Sequence, residues 1–159
     1  MNYKIRKIKE REHSLLNNFL YEAIFIPEGM QAPPKSITAL PELQVYVKDF
    51  GTEKDDICFV AEIEENIVGA VWVRIMNDYG HVEDGVPSFA ISLYKEYRGF
   101  GIGTALMERM LQELKQRGYK KASLAVQKAN YAVKMYQNVG FQIIDENEEE
   151  YIMLCLLTT

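Results

Sequence analysis

Residues 91–104 read Ile91-Ser92-Leu93-Tyr94-Lys95-Glu96-Tyr97-Arg98-Gly99-Phe100-Gly101-Ile102-Gly103-Thr104, and the fold turns on this stretch. Its leading part belongs to an apolar, strand-like run over 88–94. Beyond it, Ile102, Leu106, Met110 and Leu114 recur four apart, one face of a helix. Between strand and helix stands a turn with three glycines. A helix N-terminus presents unpaired N–H groups and the positive end of the helix dipole. Glycines let the backbone wrap an anion closely, because no Cβ intervenes. The first turn, Gly101 to Thr104, carries no Asp or Glu, which an ordinary helix start favours. That leaves the place clear for a negative ligand. Taken alone, the turn has a plainer alternative in which its glycines only ease strand–helix packing.

Two nucleotide signatures are excluded by spacing. A P-loop needs Gly-Lys-Ser/Thr after four intervening residues, and no Lys follows any of these glycines. The dinucleotide fingerprint Gly-x-Gly-x-x-Gly ends on Thr104 when counted from Gly99 and on Leu106 when counted from Gly101. What remains is Arg-x-x-Gly-x-Gly at the head of a helix.

Working outward, Lys115 and Arg117 lie at the end of that helix and Gly118 stops it. Upstream, residues 57–63 and 67–76 are β-branched and aromatic and are joined by Glu64-Glu65-Asn66, which predicts a hairpin. A turn-rich stretch covers 77–87. Residues 3–8 read as a first strand. Leu15, Leu16, Phe19, Leu20, Ala23 and Ile24 share a helix face, ended by Pro27 and Gly29. Pro41 opens a second helix with Leu43, Tyr46, Val47 and Phe50 on one side and Gly51 as its stop. Downstream come a strand at 120–126, a short helix at 131–139 and a hairpin of 141–145 with 150–157. Hairpins first, then strand–helix–strand–helix–strand, predict an α/β (α+β) fold with one mixed sheet and helices on both faces. No repeat or low-complexity segment interrupts it, and the reading is one domain over 1–159.

The bulk properties agree. The 159 residues are 48% hydrophobic and 26% charged, as in an ordinary globular chain. No apolar run approaches the roughly 20 residues of a membrane span, and the N-terminus lacks a signal-peptide core, so the expectation is a cytoplasmic protein with no membrane partner. A net charge of -5 argues against general nucleic-acid binding and leans slightly towards a cationic small substrate. Cys58 and Cys155 lie in apolar strands and read as buried small hydrophobes. His13 and His81 are the only histidines, and no Cys/His spacing suggests a metal.

With the Arg-x-x-Gly-x-Gly turn goes a second block, Asn130-Tyr131-Ala132-Val133-Lys134-Met135-Tyr136-Gln137-Asn138-Val139-Gly140-Phe141. A weaker third is Val60-Ala61-Glu62 followed by Ile67-Val68-Gly69. Together they resemble the GCN5-related N-acetyltransferase superfamily over nearly the whole chain, with Lys95 in place of the usual Pro. The resemblance implies a mostly antiparallel sheet splayed between strands 4 and 5. It implies acetyl-CoA as co-substrate and no metal. The pantetheine arm would pair with the backbone at Ile91, Ser92 and Leu93. The pyrophosphate would take N–H groups from Arg98, Gly99, Phe100, Gly101, Ile102, Gly103 and Thr104. Asn130 would contact the pantetheine side and Tyr136 the sulfur. From its residues alone the second block has another reading, in which Asn130 is an N-cap, Gly140 a C-cap and Tyr136 core.

The chemistry implied is transfer of an acetyl group to a primary amine of a small molecule or peptide. The Leu93 N–H would serve the oxyanion and Tyr136 would be the general acid. A phenol near pKa 10 is a weaker acid than a thiol near 8.5, so complete proton transfer is uphill by roughly 2 kcal/mol. For a general base the strand at 88–94 offers no acid, and Glu62, His81, Glu83 and Asp84 are candidates by proximity. Phe25, Glu28, Met30, Tyr46 and Trp72 are candidate acceptor lining. The acidic run 145–150 reads as a solvated hairpin tip. Two other readings stay open: a non-catalytic CoA-binding sensor of the same fold, and an unrelated phosphate-binding module. A homodimer paired through sheet edges is compatible with this fold.

Overall fold

The computed structural model describes residues 2–75 and 85–157. Among the described residues, seven strands form one sheet: β1 (Lys4–Lys7), β2 (Ile57–Ile63), β3 (Asn66–Arg74), β4 (Ser88–Leu93), β5 (Lys121–Gln127), β6 (Phe141–Glu146) and β7 (Glu150–Leu156). Their order is β1-β2-β3-β4-β5-β7-β6. Neighbours are antiparallel except β4 and β5, which run parallel and meet at one residue pair, Ser88 with Ser123. The Ser123 amide donates to the Pro87 carbonyl at 3.0 Å, and beyond this joint the two strands diverge. The expected splay is therefore present.

Among the described residues, four α-helices flank the sheet: α1 (Leu16–Glu22), α2 (Pro41–Gln44), α3 (Ile102–Gln116) and α4 (Ala132–Asn138). Strand alternation divides the core into two layers. Ile57, Phe59 and Ala61 of β2 face the side of α3 and α4, with Leu106, Met110 and Tyr136. Cys58 and Val60 face the side of α1, with Leu16, Phe19 and Trp72. This period of two along β2 is what a sheet covered on both faces demands.

The early helices are shorter than the apolar spacing predicts. The face from Leu15 to Ile24 is split between a 3-10 turn over Glu10–Leu15 and α1, and the chain leaves the helix at Glu22. The helix expected to run from Pro41 towards Gly51 keeps only its first turn, although Val47 and Phe50 are still buried. A buried arginine supports the irregular part. Arg74 pairs with Asp56 at 2.9 Å and donates to the carbonyls of Val45 (3.1 Å) and Lys48 (2.8 Å). Its hydrogen bonds replace those a continued helix would have made internally.

Glu62 is not near the splay. It lies on β2 beside β1, where Arg6 reaches both Glu62 (2.9 Å) and Glu12 (2.8 Å). Arg6 holds the Glu62 carboxyl below the ordinary carboxylate range, which is wrong for a base and in the wrong place. Glu12 is held lower still, at about 2, chiefly by the Arg6 hydrogen bond. A carboxyl with a depressed folded-state pKa stabilises the fold above its unfolded pKa, and that contribution disappears as pH falls through the folded value. We therefore expect stability to drop from the ordinary carboxylate range down towards pH 2, and Glu12→Gln to flatten that slope in acid denaturation curves. His81, Glu83 and Asp84, the other candidate bases, lie outside the described residues, as does Met76 at the predicted end of β3.

Cys58 and Cys155 are buried, and burial pushes both thiols up, so they behave as small apolar side chains. Among the described residues no helix is long and apolar enough to cross a membrane, and no group of three or more His, Cys, Asp or Glu could hold a metal.

Candidate functional site

The gap between β4 and β5 opens into a cavity of about 810 Å³. Its walls come from β4, the glycine turn, the start of α3, the entry to α4 and the segment after α1. The main-chain geometry of β4 says which groups face it. Tyr94 donates its N–H to the Val68 carbonyl at 3.0 Å, and the register sets Ser92 opposite Ala70 and Leu93 opposite Gly69. In an antiparallel ladder bonded and non-bonded positions alternate. Ser92 therefore spends its N–H and C=O on β3, while Ile91 and Leu93 turn theirs towards the gap. The Ser92 hydroxyl is also used, donating to the Phe19 carbonyl at 2.6 Å. Of the three residues expected to pair with a strand-like ligand, Ile91 and Leu93 turn main-chain groups to the gap. Ser92 contributes only lining.

Leu93 is held from three directions. Its carbonyl accepts from Arg98 Nε at 3.0 Å. A Cβ on Gly69 would lie 3.0 Å from Leu93 Cγ and 3.1 Å from the Ser92 carbonyl, so the absence of that Cβ gives Leu93 its seat. From α3, a Cβ on Gly103 would lie 3.6 Å from Leu93 Cδ1. Gly69 occupies a β-bulge: Glu62 pairs with Ile67 and Ala61 with Gly69, leaving Val68 as the extra residue. The bulge sends Val68 to the α3 face and Ile67 to the α1 face.

The turn itself is built for an anion. Gly99 and Gly101 both have φ of +85°, a left-handed conformation that side chains with a Cβ avoid. The first helical hydrogen bond runs from Ala105 N–H to the Gly101 carbonyl at 3.1 Å. Among the described residues, the amides from Gly99 to Thr104 donate to no backbone carbonyl outside regular elements. Gly99, Gly101, Gly103 and Thr104 line the cavity, whereas the Phe100 side chain points to solvent and Ile102 enters the core. Arg98 plays a different part from its neighbours. Its amide donates to the Lys95 carbonyl at 3.3 Å, and its guanidinium bridges the Leu93 carbonyl and Glu22 (3.3 Å). It braces the turn against β4 and α1. Lys95, which departs from the expected Pro, lines the cavity and adds a cation there.

Asn130 has both a local partner and a place in the cavity wall. Its Oδ1 accepts from the Ala132 N–H at 2.9 Å, a local cap for α4, and the side chain also lines the cavity. Tyr136 is on α4 with its ring edge-on to Phe141, 6.3 Å between centroids. It reaches the cavity wall, and its hydroxyl has no protein partner among the described residues. Burial pushes its phenol well above the usual range, so it stays protonated at any physiological pH. Core packing and access to the cavity thus coexist in one residue.

Of the expected acceptor lining, Phe25 and Met30 are in the cavity wall. Trp72 is not: it is buried beneath α1, with Nε1 donating to the Tyr46 carbonyl at 3.1 Å. Glu28 and Tyr46 also lie outside the lining. Sequence reasoning missed Glu22, Tyr131 and Met135, which all line the cavity, and took Gly69 only as part of a weak motif. A lone glycine inside a β-branched strand is a recognised sign of a bulge or close approach, so that signal was available.

A model of the acetyltransferase (GNAT) family matches residues 21–141, a span that holds every described lining residue of the cavity. Human N-acetyltransferase 8B is 32% identical over 96 residues, 60% of this chain and 42% of that protein. The acetyltransferase ECA0875 of Pectobacterium atrosepticum is 34% identical over 92 residues, 57% of this chain and 60% of that protein. The chain thus spans about half the length of such relatives. Among solved structures, the PaiA N-acetyltransferase of Thermoplasma acidophilum, in complex with coenzyme A, superposes with a TM-score of 0.73 at 18% identity, covering 98% of this chain and 99% of that one. At that identity the likeness speaks for the fold. With the family match, the splayed sheet and the glycine turn at the head of α3, this chain belongs to the acetyltransferase (GNAT) family.

Proposed function

We propose that this chain transfers an acetyl group from acetyl-CoA to a primary amine of a small molecule or peptide by direct attack within a ternary complex. The observation that carries the reading is the convergence on one cavity of the amide-rich turn at 99–104, the free edge of β4 at Ile91 and Leu93, and the unpartnered Tyr136 hydroxyl. In this reading they serve as an anion cradle, a track for an extended arm and a proton donor.

The Leu93 N–H faces the gap and is the donor we assign to the thioester oxygen as negative charge develops on it. Gly99 to Thr104 receive the pyrophosphate on their amides and on the dipole of α3. Asn130, which lines the cavity, is assigned to the pantetheine side. Tyr136 is assigned to the departing sulfur. Its raised pKa makes full proton loss costly, so its contribution is a hydrogen bond that strengthens as thiolate charge grows. We expect Tyr136→Phe to lower kcat roughly tenfold to a hundredfold, with little change in the affinity for CoA. Wild-type kcat in that variant, measured by release of free CoA, would remove Tyr136 from the chemistry.

Ligand choice tests the cofactor half. Thermal shifts with CoA, ATP and NAD should single out CoA, a ligand at 100 times its dissociation constant adding about 2.7 kcal/mol. Equal shifts with all three would point to a general phosphate site.

A further inference from the structure

We infer that the acceptor half of this cavity takes an amine carried on an apolar body and discriminates against polycations. The inference rests on the acyl-transfer reading and concerns the wall on the α1 side. That wall is the loop following Glu22. Its ends are tied by Tyr21, whose hydroxyl donates to the Pro33 carbonyl at 2.6 Å, and it turns at Pro27, whose carbonyl accepts from Met30 N–H at 3.0 Å. The side chains it gives to the cavity are Ile24, Phe25, Ile26, Pro27 and Met30, flanked by alanines.

The charges of the cavity as a whole run against a polycation. Among the described lining residues the charged side chains are Lys95, Arg98 and Glu22, two cations against one anion. The single carboxylate is already paired, Glu22 Oε1 standing 3.3 Å from Arg98. A polyamine entering this cavity would lose hydration and meet no free carboxylate among the described lining residues. The overall charge of -5 is a property of the whole chain and is not the balance of the described lining residues.

The same wall bears on the missing base. Desolvation against apolar side chains disfavours an ammonium and favours the neutral amine. An apolar amine therefore arrives in an environment that helps it shed its proton to solvent, and a carboxylate in the wall is not required. Apolar contact holds the body of the acceptor, and the walls tune its nitrogen.

The test uses the CoA-loaded protein and two alkyl amines of similar basicity, phenethylamine and spermidine. Binding is measured by isothermal titration, and turnover by CoA release from acetyl-CoA. Phenethylamine should bind roughly tenfold or more tightly than spermidine, in keeping with burial of one ring. Met30→Glu, which places a carboxylate on an exposed part of the wall, should narrow that ratio by up to roughly fivefold. Spermidine binding as well as or better than phenethylamine, or neither amine binding, overturns the inference. Phenethylamine binding preferentially with no CoA released supports the apolar site and instead brings down the acyl-transfer reading.

Discussion

Gly69→Ala should lower kcat roughly a hundredfold, and adding Leu93→Ala to the same chain should restore most of the loss. A methyl at position 69 would overlap the Leu93 side chain and press on the Ser92 carbonyl at 3.1 Å. Towards α3, Leu93 has at most the room that the missing Cβ of Gly103 leaves, and Met135 borders that room. The Leu93 carbonyl is held by Arg98, so the strain falls on the β4 main chain and moves the Leu93 N–H. A donor displaced by about 1 Å from a developing negative charge costs on the order of a hundredfold. Trimming Leu93 to alanine removes the overlap and leaves the N–H in place, because the assigned role belongs to the backbone. Turnover, melting temperature and CoA affinity should be measured for both variants. An unchanged kcat in Gly69→Ala would show that Leu93 needs no such seat. A double variant as slow as the single one, with its melting temperature recovered, would show that the Leu93 N–H is not the donor.

Gly101→Val should weaken CoA binding by at least tenfold, while Gly101→Asn should fall between valine and wild type. At φ +85° and ψ 0°, residue 101 is left-handed, and a residue with a Cβ is strained there by roughly 1–2 kcal/mol. Space is not the obstacle, since a Cβ would meet nothing within 4 Å. The strain would be relieved by reshaping the turn, which carries the amides of the cradle away from a common centre. Asparagine tolerates this region better than valine, so the order glycine, asparagine, valine separates a torsional cause from a steric one. Unchanged CoA affinity in Gly101→Val, read by titration calorimetry, would dissociate the cradle from cofactor binding.

How far the site was legible in the sequence follows from which interactions are local. The glycine turn depends on neighbours along the chain: strand residues before it, helix periodicity after it, and torsions only glycine adopts readily. It was readable for that reason, as was the Asn130 cap two residues from the amide it serves. The short α2 was not readable, because its termination depends on Arg74, which comes from β3 and takes the carbonyls of Val45 and Lys48. Trp72 was misplaced for a related reason. A tryptophan in a strand faces one side or the other according to register, and register placed it under α1. Glu62 looked available as a base until β1 brought Arg6 beside it.

Arg98 marks the boundary most clearly. Its position before Gly99 was visible as part of a motif, and the motif suggested service to an anion. In the fold its guanidinium reaches Leu93 and Glu22 instead, bracing the turn that the glycines shape. By itself the sequence determined the strand–turn–helix unit, the mixed sheet and the family, because periodicity, glycine torsions and capping are properties of short stretches. Only the tertiary structure decided which main-chain groups of β4 face the gap, what seats Leu93 and which charges surround the acceptor. Those depend on strand register and on side chains dozens of residues apart, and contacts at that range leave no period in the sequence.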